Sequence, residues 1–505
     1  MNTSKKNTGI ERPPIVVVMG HIDHGKSTLL DRIRQSNTTD AEVGGITQRI
    51  GAYEVAHTDV KGTVRRITFI DTPGHAAFEA MRARGAAAAD IAILVVSAEE
   101  GVKAQTLEAW KRIMESGMPY VIALNKIDRP ESNIERTLAQ LAENGIYVEG
   151  RGGDVPYVPV SAKTGEGATA LLEIVLLLAE LHELTADPAL PAEGFVIESS
   201  RDPKRGIAAT LIITNGRLAK GMHIAAGHAI APVRIMEDSL GKPIDAATFS
   251  SPVRIVGFSS LPPVGETFRA FSSRTDAEEY AARPASPAGT SPEHADTAEV
   301  SEEETAVIPV IVKADVIGVA EAVAHELLAY TRERLIVKII GNGVGAVTEG
   351  DVKAAGSDAR TVVIAFNVSV ERGARDIAER IGITVVSFDI IYKLTEWFEA
   401  LVKERTPKRT VETVRGRLKV LKDFSRTRDR QIIGGRVEEG SVNERDAVKI
   451  LRRGEIIGEG VVVEVQKAKS RTREAAEGEE CGLKVESRTT IAPGDVMESR
   501  VFVEQ

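Results

Sequence analysis

The sequence has little cysteine, few aromatic residues and no long hydrophobic run. One of its 505 residues is cysteine, and 4% are aromatic. A single cysteine cannot form an internal disulfide, which fits the reducing cytoplasm. No apolar run approaches ~18 residues, the length that indicates a membrane-spanning helix. The opening residues, MNTSKKNTGIERPP, lack the apolar core of a signal peptide. We therefore expect a cytoplasmic protein without membrane contact.

The remaining composition is that of a globular protein with several domains. Hydrophobic residues make up 43% of the chain and charged residues 27%, which excludes a fibrous or wholly disordered protein. The length exceeds what one ordinary core supports, so we expect about three to five domains. Because the net charge is -9, any contact with nucleic acid must come from local basic surface.

Changes of pattern along the chain divide it into regions. Apolar runs such as IVVVM (15–19) and IAILVV (91–96) alternate with helix-like segments, which predicts a mostly parallel sheet with helices on both faces. Further on, Asn215-Gly216 suits a tight hairpin in a β-rich region. The predicted order is a polar tail (1–12), an α/β domain (13–185), a β-barrel (192–271), a flexible linker or loosely helical insertion (272–305), a small α/β/α domain (306–389), a connecting helix (390–410) and a C-terminal β-barrel (411–505).

A phosphate-binding loop is predicted where the first strand meets the first helix. GHIDHGKS (20–27) fits G-x-x-x-x-G-K-S, and its glycines let the backbone wrap closely, so that N–H groups and the helix N-terminus face phosphate oxygens. Lys26 would neutralise the β- and γ-phosphate oxygens, and Ser27 would bind Mg²⁺. The predicted contacts are Gly20, His21, Ile22, Asp23, His24, Gly25, Lys26, Ser27 and Thr28.

Two further motifs complete the predicted phosphate and metal site. Asp71 in DTPG follows a strand and would hold Mg²⁺, while Gly74 could offer its N–H to the γ-phosphate. Between the two phosphate motifs, GGITQRIGAY (44–53) contains Thr47. A threonine here would close over Mg²⁺ and the γ-phosphate in a nucleotide switch; in isolation the stretch would be an ordinary surface loop.

The base is indicated by NKID (125–128) and SAK (161–163). Asp128 can accept both guanine N1–H and N2–H, an arrangement that adenine cannot satisfy, and the Lys126 stem can lie along the ring. Asn125 either contacts the acceptor edge of guanine or braces the loop. Ser161, Ala162 and Lys163 would brace the same loop, with the Ala162 N–H at guanine O6. Four motifs in this order identify residues 13–185 as a P-loop GTPase domain.

These motifs resemble those of the bacterial translation initiation factor two family of translational GTPases. The likeness covers GHIDHGKSTLLD, DTPGHAAFEAMRARGA, NKIDRP and EECGLKV, and it extends over nearly the whole chain, without the long N-terminal extension usual in the family. It implies a monomeric GTPase that brings formylmethionyl initiator tRNA to the small ribosomal subunit, promotes subunit joining and is activated by large-subunit RNA. Other initiation factors would be further partners.

Two residues of the GTPase domain take their interpretation from this resemblance. His75 matches the catalytic histidine of the family, which orients the attacking water, in agreement with the need of phosphoryl transfer for a positioned water. The alternative for His75 is a solvated surface residue. Arg49 stands where the family usually has histidine, and it would either reach phosphate or RNA, or lie solvated in the switch.

The C-terminal region predicts contact with tRNA. Residues 403–473 contain 20 Lys and Arg against 11 Asp and Glu, which is either a solvated rim or an RNA-binding surface. By resemblance, Lys467 and the Glu480-Cys481-Gly482 run belong to the surface that holds the formylmethionyl end. The alternative for Cys481 is a small buried strand residue. A second family cysteine is Gly435 here, and the family aromatic residue is Ala468, so we expect the tRNA end to be held in a rearranged or weaker way.

Two other functions are compatible with these motifs. One is a ribosome-associated GTPase that serves elongation or ribosome assembly. The other is a GTP-gated RNA-binding scaffold with little hydrolysis.

Overall fold

The computed structural model describes residues 9–34, 47–283, 306–332, 334–356, 358–406, 410–427, 429–468 and 470–504. Residues 44–46 of the predicted switch and 284–305 of the predicted linker lie outside this set. The chain forms two compact units, Met1–Arg405 and Thr406–Gln505. No helix among the described residues is long and apolar enough to cross a membrane.

The first α/β region contains a six-stranded sheet between two layers of helices. Its elements are β1 (Ile10–Glu11), β2 (Ile15–Gly20), α1 (Lys26–Arg34), β3 (Gly51–Thr58), β4 (Val64–Asp71), a 3₁₀ helix (Ala76–Phe78), α2 (Glu79–Ala88), β5 (Ile91–Ser97), α3 (Ala104–Ser116), β6 (Tyr120–Asn125), α4 (Ile134–Glu143), β7 (Tyr157–Pro159), α5 (Ala168–Leu181) and β8 (Thr185–Ala186). The strand order is β3-β4-β2-β5-β6-β7, and only the β3–β4 pair is antiparallel. The mostly parallel sheet predicted from the apolar runs is confirmed.

Burial on both faces explains why the central strands are continuous apolar runs. Every residue of β2 and β5 is buried. Val16 and Val18 belong to one core with α1 and α5, whereas Val17 and Met19 belong to the core on the opposite face. Successive strand residues point to opposite faces, so a strand covered on both sides has no polar alternation.

Strand β3 was not predicted. It pairs with β4 along its whole length, from Gly51 opposite Asp71 to Thr58 opposite Val64. Tyr53 is buried, while its even-numbered neighbour Glu54 is partly exposed. The alternation of Tyr53, Val55 and polar neighbours is the signal that could have identified this one-sided edge strand.

Two boundary predictions need correction. Ile10 and Glu11 pair with Ala186 and Thr185, so these residues of the predicted polar tail form a strand through backbone hydrogen bonds. In the predicted linker, Arg274–Ala281 form helix α6, capped by the Ser273 side chain. Ala277 and Ala281 pack against Ala225 of the neighbouring sheet, which supplies the burial that the linker composition was thought to lack.

The middle β region has nine strands around one core, and seven of them form an antiparallel sheet. Its strands are β9 (Glu193–Asp202), β10 (Gly206–Asn215), β11 (Arg217–Ala219), β12 (His223–Ala226), β13 (Ala229–Pro232), β14 (Ile235–Glu237), β15 (Ala246–Thr248), β16 (Pro252–Val256) and β17 (Thr267–Phe271). The order is β13-β12-β17-β9-β10-β16-β14, and β11 pairs separately with β15. The predicted hairpin at Asn215-Gly216 is therefore wrong. The chain does turn at Gly216, which has a φ of 79°, but the strands on either side pair with other partners.

The second α/β region contains a parallel four-stranded sheet. Its elements are β18 (Ala306–Ala314), α7 (Ile317–Leu328), β19 (Leu335–Val344), α8 (Glu349–Ala354), β20 (Val362–Phe366), α9 (Arg372–Ile381), β21 (Thr384–Phe388) and α10 (Ile391–Arg405), with strand order β19-β18-β20-β21. Its α7 packs on α2 so closely that a Cβ at Gly318 would lie 2.5 Å from Met81 Cε. One hydrophobic core, which includes Met81, Val319 and Leu394, runs through both α/β regions.

The second unit is a closed antiparallel barrel. Its strands are β22 (Thr410–Arg426), β23 (Arg430–Asn443), β24 (Ala447–Arg452), β25 (Glu455–Lys467), β26 (Ser470–Thr472), β27 (Glu474–Ala476), β28 (Glu480–Ser487) and β29 (Val496–Glu504). Six strands follow the order β22-β29-β24-β25-β28-β23, and the β22–β23 pairing closes the ring. Leu418, Val437 and Leu483 lie fully buried inside. Closure pairs every strand on both sides, which removes exposed edges.

Gly435 has no room for a side chain. A Cβ there would lie 2.3 Å from Leu418 Cδ2 and 2.7 Å from the Lys419 carbonyl oxygen. The cysteine that the family resemblance suggested at this position would thus collide with the neighbouring strand. At Gly482, by contrast, the nearest atom to a Cβ would be 3.9 Å away.

We expect Gly435→Cys to lower the free energy of unfolding of the barrel by about 1–3 kcal/mol, because an overpacked core must move backbone. Hydrogen-exchange mass spectrometry of peptides from residues 410–504 at increasing urea measures this change. Gly482→Ala is the matched control and should change the free energy by less than about 0.5 kcal/mol. Equal stability of Gly435→Cys and the wild type would contradict the steric explanation.

Candidate functional site

The loop between β2 and α1 is pressed against its neighbours by backbone contacts that require glycine. Gly20 has a φ of 143°, and a Cβ there would lie 2.4 Å from the Val95 carbonyl oxygen. Gly25 has a φ of 84°, and a Cβ there would lie 2.4 Å from Asn125 Nδ2. Asp23 also adopts a positive φ, of 62°. These constraints shape the concave loop that leads into the N-terminus of α1.

Lys26 is buried at the centre of this loop. Its Nζ donates hydrogen bonds to the carbonyl oxygens of Gly20 and His21, at 3.0 and 2.8 Å. Burial lowers the pKa of Lys26 to about 8, against the opposing effect of the Asp71 carboxylate. Gly74 passes directly over the ammonium group, since a Cβ there would lie 2.6 Å from Lys26 Nζ. The structure thus brings the loop lysine and the DTPG motif together.

The three predicted metal ligands also lie together. Ser27 Oγ and Thr47 Oγ1 are 2.7 Å apart, and Thr47 Oγ1 lies 3.4 Å from Asp71 Oδ2. Thr72 Oγ1 donates to the Val18 carbonyl oxygen at 2.9 Å and so ties the segment after Asp71 to β2. Two hydroxyls and a carboxylate are the oxygen ligands that Mg²⁺ prefers, so these residues fit that ion.

Asn125 braces the base-binding loop to the phosphate loop. Its Nδ2 donates to the His24 and Gly25 carbonyl oxygens, at 2.8 and 3.4 Å, and its Oδ1 accepts from the Ala162 N–H at 3.0 Å. Of the two alternatives left by the sequence, the structure therefore has the bracing contact. The Ala162 N–H, expected at guanine O6, is bonded to Asn125 here.

Asp128 is held by a neighbouring hydroxyl. Ser161 Oγ donates to Asp128 Oδ1 at 2.7 Å, and this bond holds the pKa of Asp128 below its usual value. Lys126 has a φ of 66°, and its Nζ lies 2.9 Å from Glu100 Oε1. The carboxylate of Asp128 thus stays ionised, as an acceptor of two guanine N–H bonds must be.

These motifs surround a cavity of about 430 Å³, a size suited to a small ligand. The predicted residues that line it are Ile22, Asp23, Gly25, Lys26, Ser27, Thr28, Thr47, Gly74, His75, Asn125, Lys126, Asp128, Ala162 and Lys163. Gly20, His21, His24, Asp71 and Ser161 are absent from this lining. His24 is fully buried behind the loop, where burial lowers its pKa to about 4. It is a neutral packing residue.

His75 faces this cavity from the start of the 3₁₀ helix. Its Nδ1 accepts a hydrogen bond from the Ala77 N–H at 3.1 Å, and burial lowers its pKa, so the ring is neutral near pH 7. Arg82 Nη1 donates to the His75 carbonyl oxygen at 2.6 Å and fixes the backbone. The ring centroid lies 5.0 Å from that of Tyr392, edge to face. His75 is therefore half-buried and packed.

Tyr392 and Gln48 are site residues that the sequence did not identify. Tyr392, in the first turn of α10, lines the cavity beside His75. Gln48, next to Thr47, donates from Nε2 to the Asp389 carbonyl oxygen at 3.0 Å and accepts at Oε1 from the Ile391 N–H at 3.1 Å. No local pattern could have indicated contacts between residues more than 300 positions apart.

Arg49 is exposed, as one of its two alternatives from the sequence expected, and it has a partner that the sequence did not indicate. It forms an ion pair with Asp315, which follows β18, although its own side chain is 54% exposed. Glu198 of β9 also faces Arg49, but burial outweighs this attraction and raises the pKa of Glu198 to about 7. Arg49 thus connects the segment after Thr47 to the second α/β region.

The predicted tRNA residues divide between the surface and the core of the barrel. Cys481 is buried with Leu483 and Val465, and burial raises the pKa of its thiol to about 11. Of the two alternatives for Cys481, the structure therefore has the small buried strand residue. Glu480 is exposed and Gly482 partly exposed on the same strand. Lys467 is paired with Glu479, and Ala468 lies in the turn after β25 with a φ of 50°.

Fold and site together define a P-loop GTPase with a pocket for guanine. The family described as Elongation factor Tu GTP binding domain matches residues 11–180, Elongation factor G domain 2 matches 191–271, and Translation-initiation factor 2 matches 289–399. The chain belongs to the translation initiation factor IF-2 family, and it is a translational GTPase that acts in initiation.

Two individual relatives support this assignment. The chain is 41% identical to Translation initiation factor IF-2 of Rubrobacter xylanophilus, over 98% of this chain and 72% of that protein. It is 40% identical to the factor of Bacillus pumilus, over 98% of this chain and 70% of that protein. Among solved structures, GDP-bound aIF5B from Aeropyrum pernix is 27% identical, covers 97% of this chain and 92% of its own, and has a TM-score of 0.49.

We expect the affinity for GDP to fall as the pH rises above 8. Lys26 is protonated below its pKa of about 8 and loses its charge above it, so binding that needs the ammonium weakens toward about tenfold per pH unit. Titration with a fluorescent GDP analogue between pH 7 and 9 measures this. Lys26→Met is the control for ionisation of guanine itself. A wild-type affinity as flat with pH as that of the variant would contradict the assignment.

Proposed function

We propose that this GTPase brings formylmethionyl initiator tRNA to the small ribosomal subunit, promotes joining of the large subunit and hydrolyses GTP when large-subunit RNA activates it. The observation that carries the proposal is that the phosphate loop with Ser27, together with Thr47, the guanine loop and His75, lines one cavity. The protein would work as a monomer in the cytoplasm, together with other initiation factors.

The phosphate end of the cavity would hold the triphosphate of GTP. Backbone N–H groups of residues 20–28 bind the phosphate oxygens, and Lys26 exchanges its bonds to loop carbonyls for bonds to phosphate. Ser27, Thr47 and Asp71 would hold Mg²⁺, which supplies positive charge against the β- and γ-phosphates when bound. Thr47 Oγ1 contacts both Ser27 Oγ and Asp71 Oδ2. Release of the γ-phosphate would therefore free Thr47 and the residues that follow it.

The opposite end would read the base. Asp128, kept ionised by Ser161, accepts the two N–H bonds of guanine, and the stem of Lys126 lies along the ring. Asn125 fixes the distance between this end and the phosphate loop through its three hydrogen bonds. Adenine offers no pair of donors to Asp128, so ATP should be excluded.

His75 would position the water that attacks the γ-phosphate. A neutral imidazole whose Nδ1 accepts from the Ala77 N–H can use Nε2–H at the cavity side, which orients a water without removing its proton. The attacking oxygen forms its bond to phosphorus as the bond to the β-phosphate breaks, and a γ-phosphate oxygen takes the proton. Among the described residues that line the cavity, the arginine is Arg129, at the guanine end. Turnover without ribosomes should therefore be slow.

We expect His75→Ala to lower ribosome-stimulated kcat by at least about 100-fold while GDP affinity changes by less than about twofold, because the side chain acts on water and not on the nucleotide. Phosphate release with and without ribosomes measures this. His182→Ala, an exposed histidine at the end of α5, is the matched control and should behave as the wild type. Undiminished stimulation in His75→Ala would favour another activating residue, and no stimulation of the wild type would favour the GTP-gated scaffold.

The barrel of the second unit would hold the aminoacyl end of the tRNA. Its described residues expose Lys467, Glu480 and Gly482, and the region is rich in lysine and arginine. Arg and Lys bind RNA phosphates with an affinity that falls as salt rises. Selection of an initiator requires in addition that the formyl group be distinguished from a free, charged amine.

We expect the full chain to bind formylmethionyl-tRNA about tenfold more tightly than methionyl-tRNA, because one polar contact of good geometry is lost and a charged amine must be desolvated. Protection of the aminoacyl ester from hydrolysis, measured against protein concentration, reports both affinities. The same tRNA with and without the formyl group forms the matched pair. Equal protection would contradict initiator selection and favour a factor of elongation or assembly.

A further inference from the structure

The barrel exposes an aromatic side chain that the proposed function has not used. Phe424, near the end of β22, is 61% exposed. The whole chain has 12 phenylalanines, and the fully buried ones, such as Phe268 and Phe398, serve as core. A large apolar ring left in water is a common feature of binding surfaces.

The ring of Phe424 leans on a glycine in the neighbouring strand. A Cβ at Gly434 would lie 2.8 Å from Phe424 Cε2, so a side chain at this position would displace the ring. The flanking residues Ile433 and Gly435 are buried, whereas Gly434 is partly exposed, which places Gly434 on the outer face of the barrel. Phe424 thus lies on the outer surface of the barrel against Gly434, and most of its side chain remains exposed.

The outer face beside the ring lacks side chains at two neighbouring positions, Gly434 and Gly482. Gly434 lies opposite Lys422 of β22 and opposite Gly482 of β28, and Gly482 lies opposite Gln466 of β25. These four residues are called the glycine row. The nearest atom to a Cβ at Gly482 would be Gln466 Cβ, at 3.9 Å, so the space beside the ring is free for a flat group.

The surroundings of the glycine row carry positive charge. Lys422 Nζ lies 5.7 Å from the centroid of the Phe424 ring. Two positions along the strands from the Gly434–Gly482 pair, on the same face, Lys484 is partly exposed on one side and Arg436 is exposed on the other. Among the ion pairs of the described residues, none involves Lys422, Lys484 or Arg436. Two acidic residues are nearest in register: Glu480, opposite Arg436, and Glu464, which lies opposite Lys484 and accepts a hydrogen bond from Gln466 of the row.

An unpaired nucleotide is the occupant that this combination fits. A base is flat and stacks on an aromatic face whatever its sequence, and its phosphates require cations that are not already paired. An apolar peptide segment would leave the three cations without partners. Since the row includes Gly482 and adjoins Glu480 and Lys467, the ring lies within the same surface that the proposed function assigns to the tRNA end.

We propose that Phe424 is the stacking platform for a base of the unpaired 3′ end of the bound tRNA, in place of the aromatic side chain that the chain lacks at Ala468. The proposal rests on the tRNA binding put forward above. It assigns the contact to β22, whereas the family pattern places its ring in the turn after β25.

The test compares formylmethionyl-tRNA binding by the full chain with Phe424 changed. We expect Phe424→Ala to weaken binding about 5- to 150-fold, which is the loss typical of one stacked base. Phe424→Trp should retain binding, and its fluorescence, corrected for Trp110 and Trp397 with the wild type, should change when tRNA is added. Ile456→Ala removes an apolar side chain that is 55% exposed outside the row, so it is the matched control and should bind normally.

A tRNA without its terminal unpaired nucleotides distinguishes the outcomes. Wild type and Phe424→Ala should bind this trimmed tRNA equally, since the stacking partner is gone. Equal binding of intact tRNA by both proteins would overturn the proposal and leave the ring to a protein partner. The proposal would also be overturned if Phe424→Ala lost the same factor of affinity for intact and for trimmed tRNA. If the wild type binds no formylmethionyl-tRNA, the proposed function fails as well. If the wild type binds and Phe424→Ala binds equally well, only the stacking role of Phe424 fails.

Discussion

The close packing of the phosphate loop against its neighbours is the constraint on which the rest of the site depends. Gly20 touches the carbonyl of Val95 and Gly25 touches the side chain of Asn125, so the loop has no freedom to drift from the sheet. Asn125 then links the phosphate loop to Ala162 of the base-binding loop through hydrogen bonds to both. A ligand that contacts both ends meets a spacing that is already set, which lowers the ordering cost of binding.

The residues after Thr47 connect the GTPase domain to the second α/β region. Gln48 caps the start of α10 with two hydrogen bonds, and Arg49 pairs with Asp315. Tyr392, also in α10, packs on His75. Loss of the contacts that hold Thr47 would therefore be felt at the second α/β region through residues directly adjacent in the chain. Glu198 is buried at this junction and its pKa is raised, so the attraction of Arg49 only partly offsets the cost of burying the Glu198 charge.

The interior of the barrel is tightly packed, whereas its outer face leaves open space beside two glycines. Leu418 fills the space beside Gly435, and Cys481 packs inside with Leu483. On the outer face, Gly434 and Gly482 leave room that Phe424 partly covers. Recognition on a closed barrel depends on outward-facing residues of adjacent strands, and the register of the strands decides which of them meet.

Much of the first α/β region could be predicted because its signals are local. The continuous apolar runs of β2 and β5, the glycines of the phosphate loop and the order of the four motifs each depend on neighbouring residues, and they indicated the sheet and the ligand. The role of His75 came from the family resemblance. The hairpin at Asn215-Gly216 failed because a local turn does not determine which strands pair. Strand β3 was missed although its partner β4 follows directly in the chain and its own alternation was a usable signal. Helix α6 was foreseen only as a loosely helical insertion, because the residue that buries it, Ala225, lies in a distant strand.

The sequence by itself thus determined that the chain contains a GTPase domain, since backbone curvature, phosphate charge and guanine donors require particular residues at fixed short spacings, and its family resemblance indicated a role in translation. Only the tertiary structure decided that Asn125 braces the loop, that Arg49 meets Asp315, that Tyr392 reaches His75 and that Phe424 stands over Gly434. These contacts join residues far apart in the chain, and strand register and helix packing, which no short motif encodes, place them side by side.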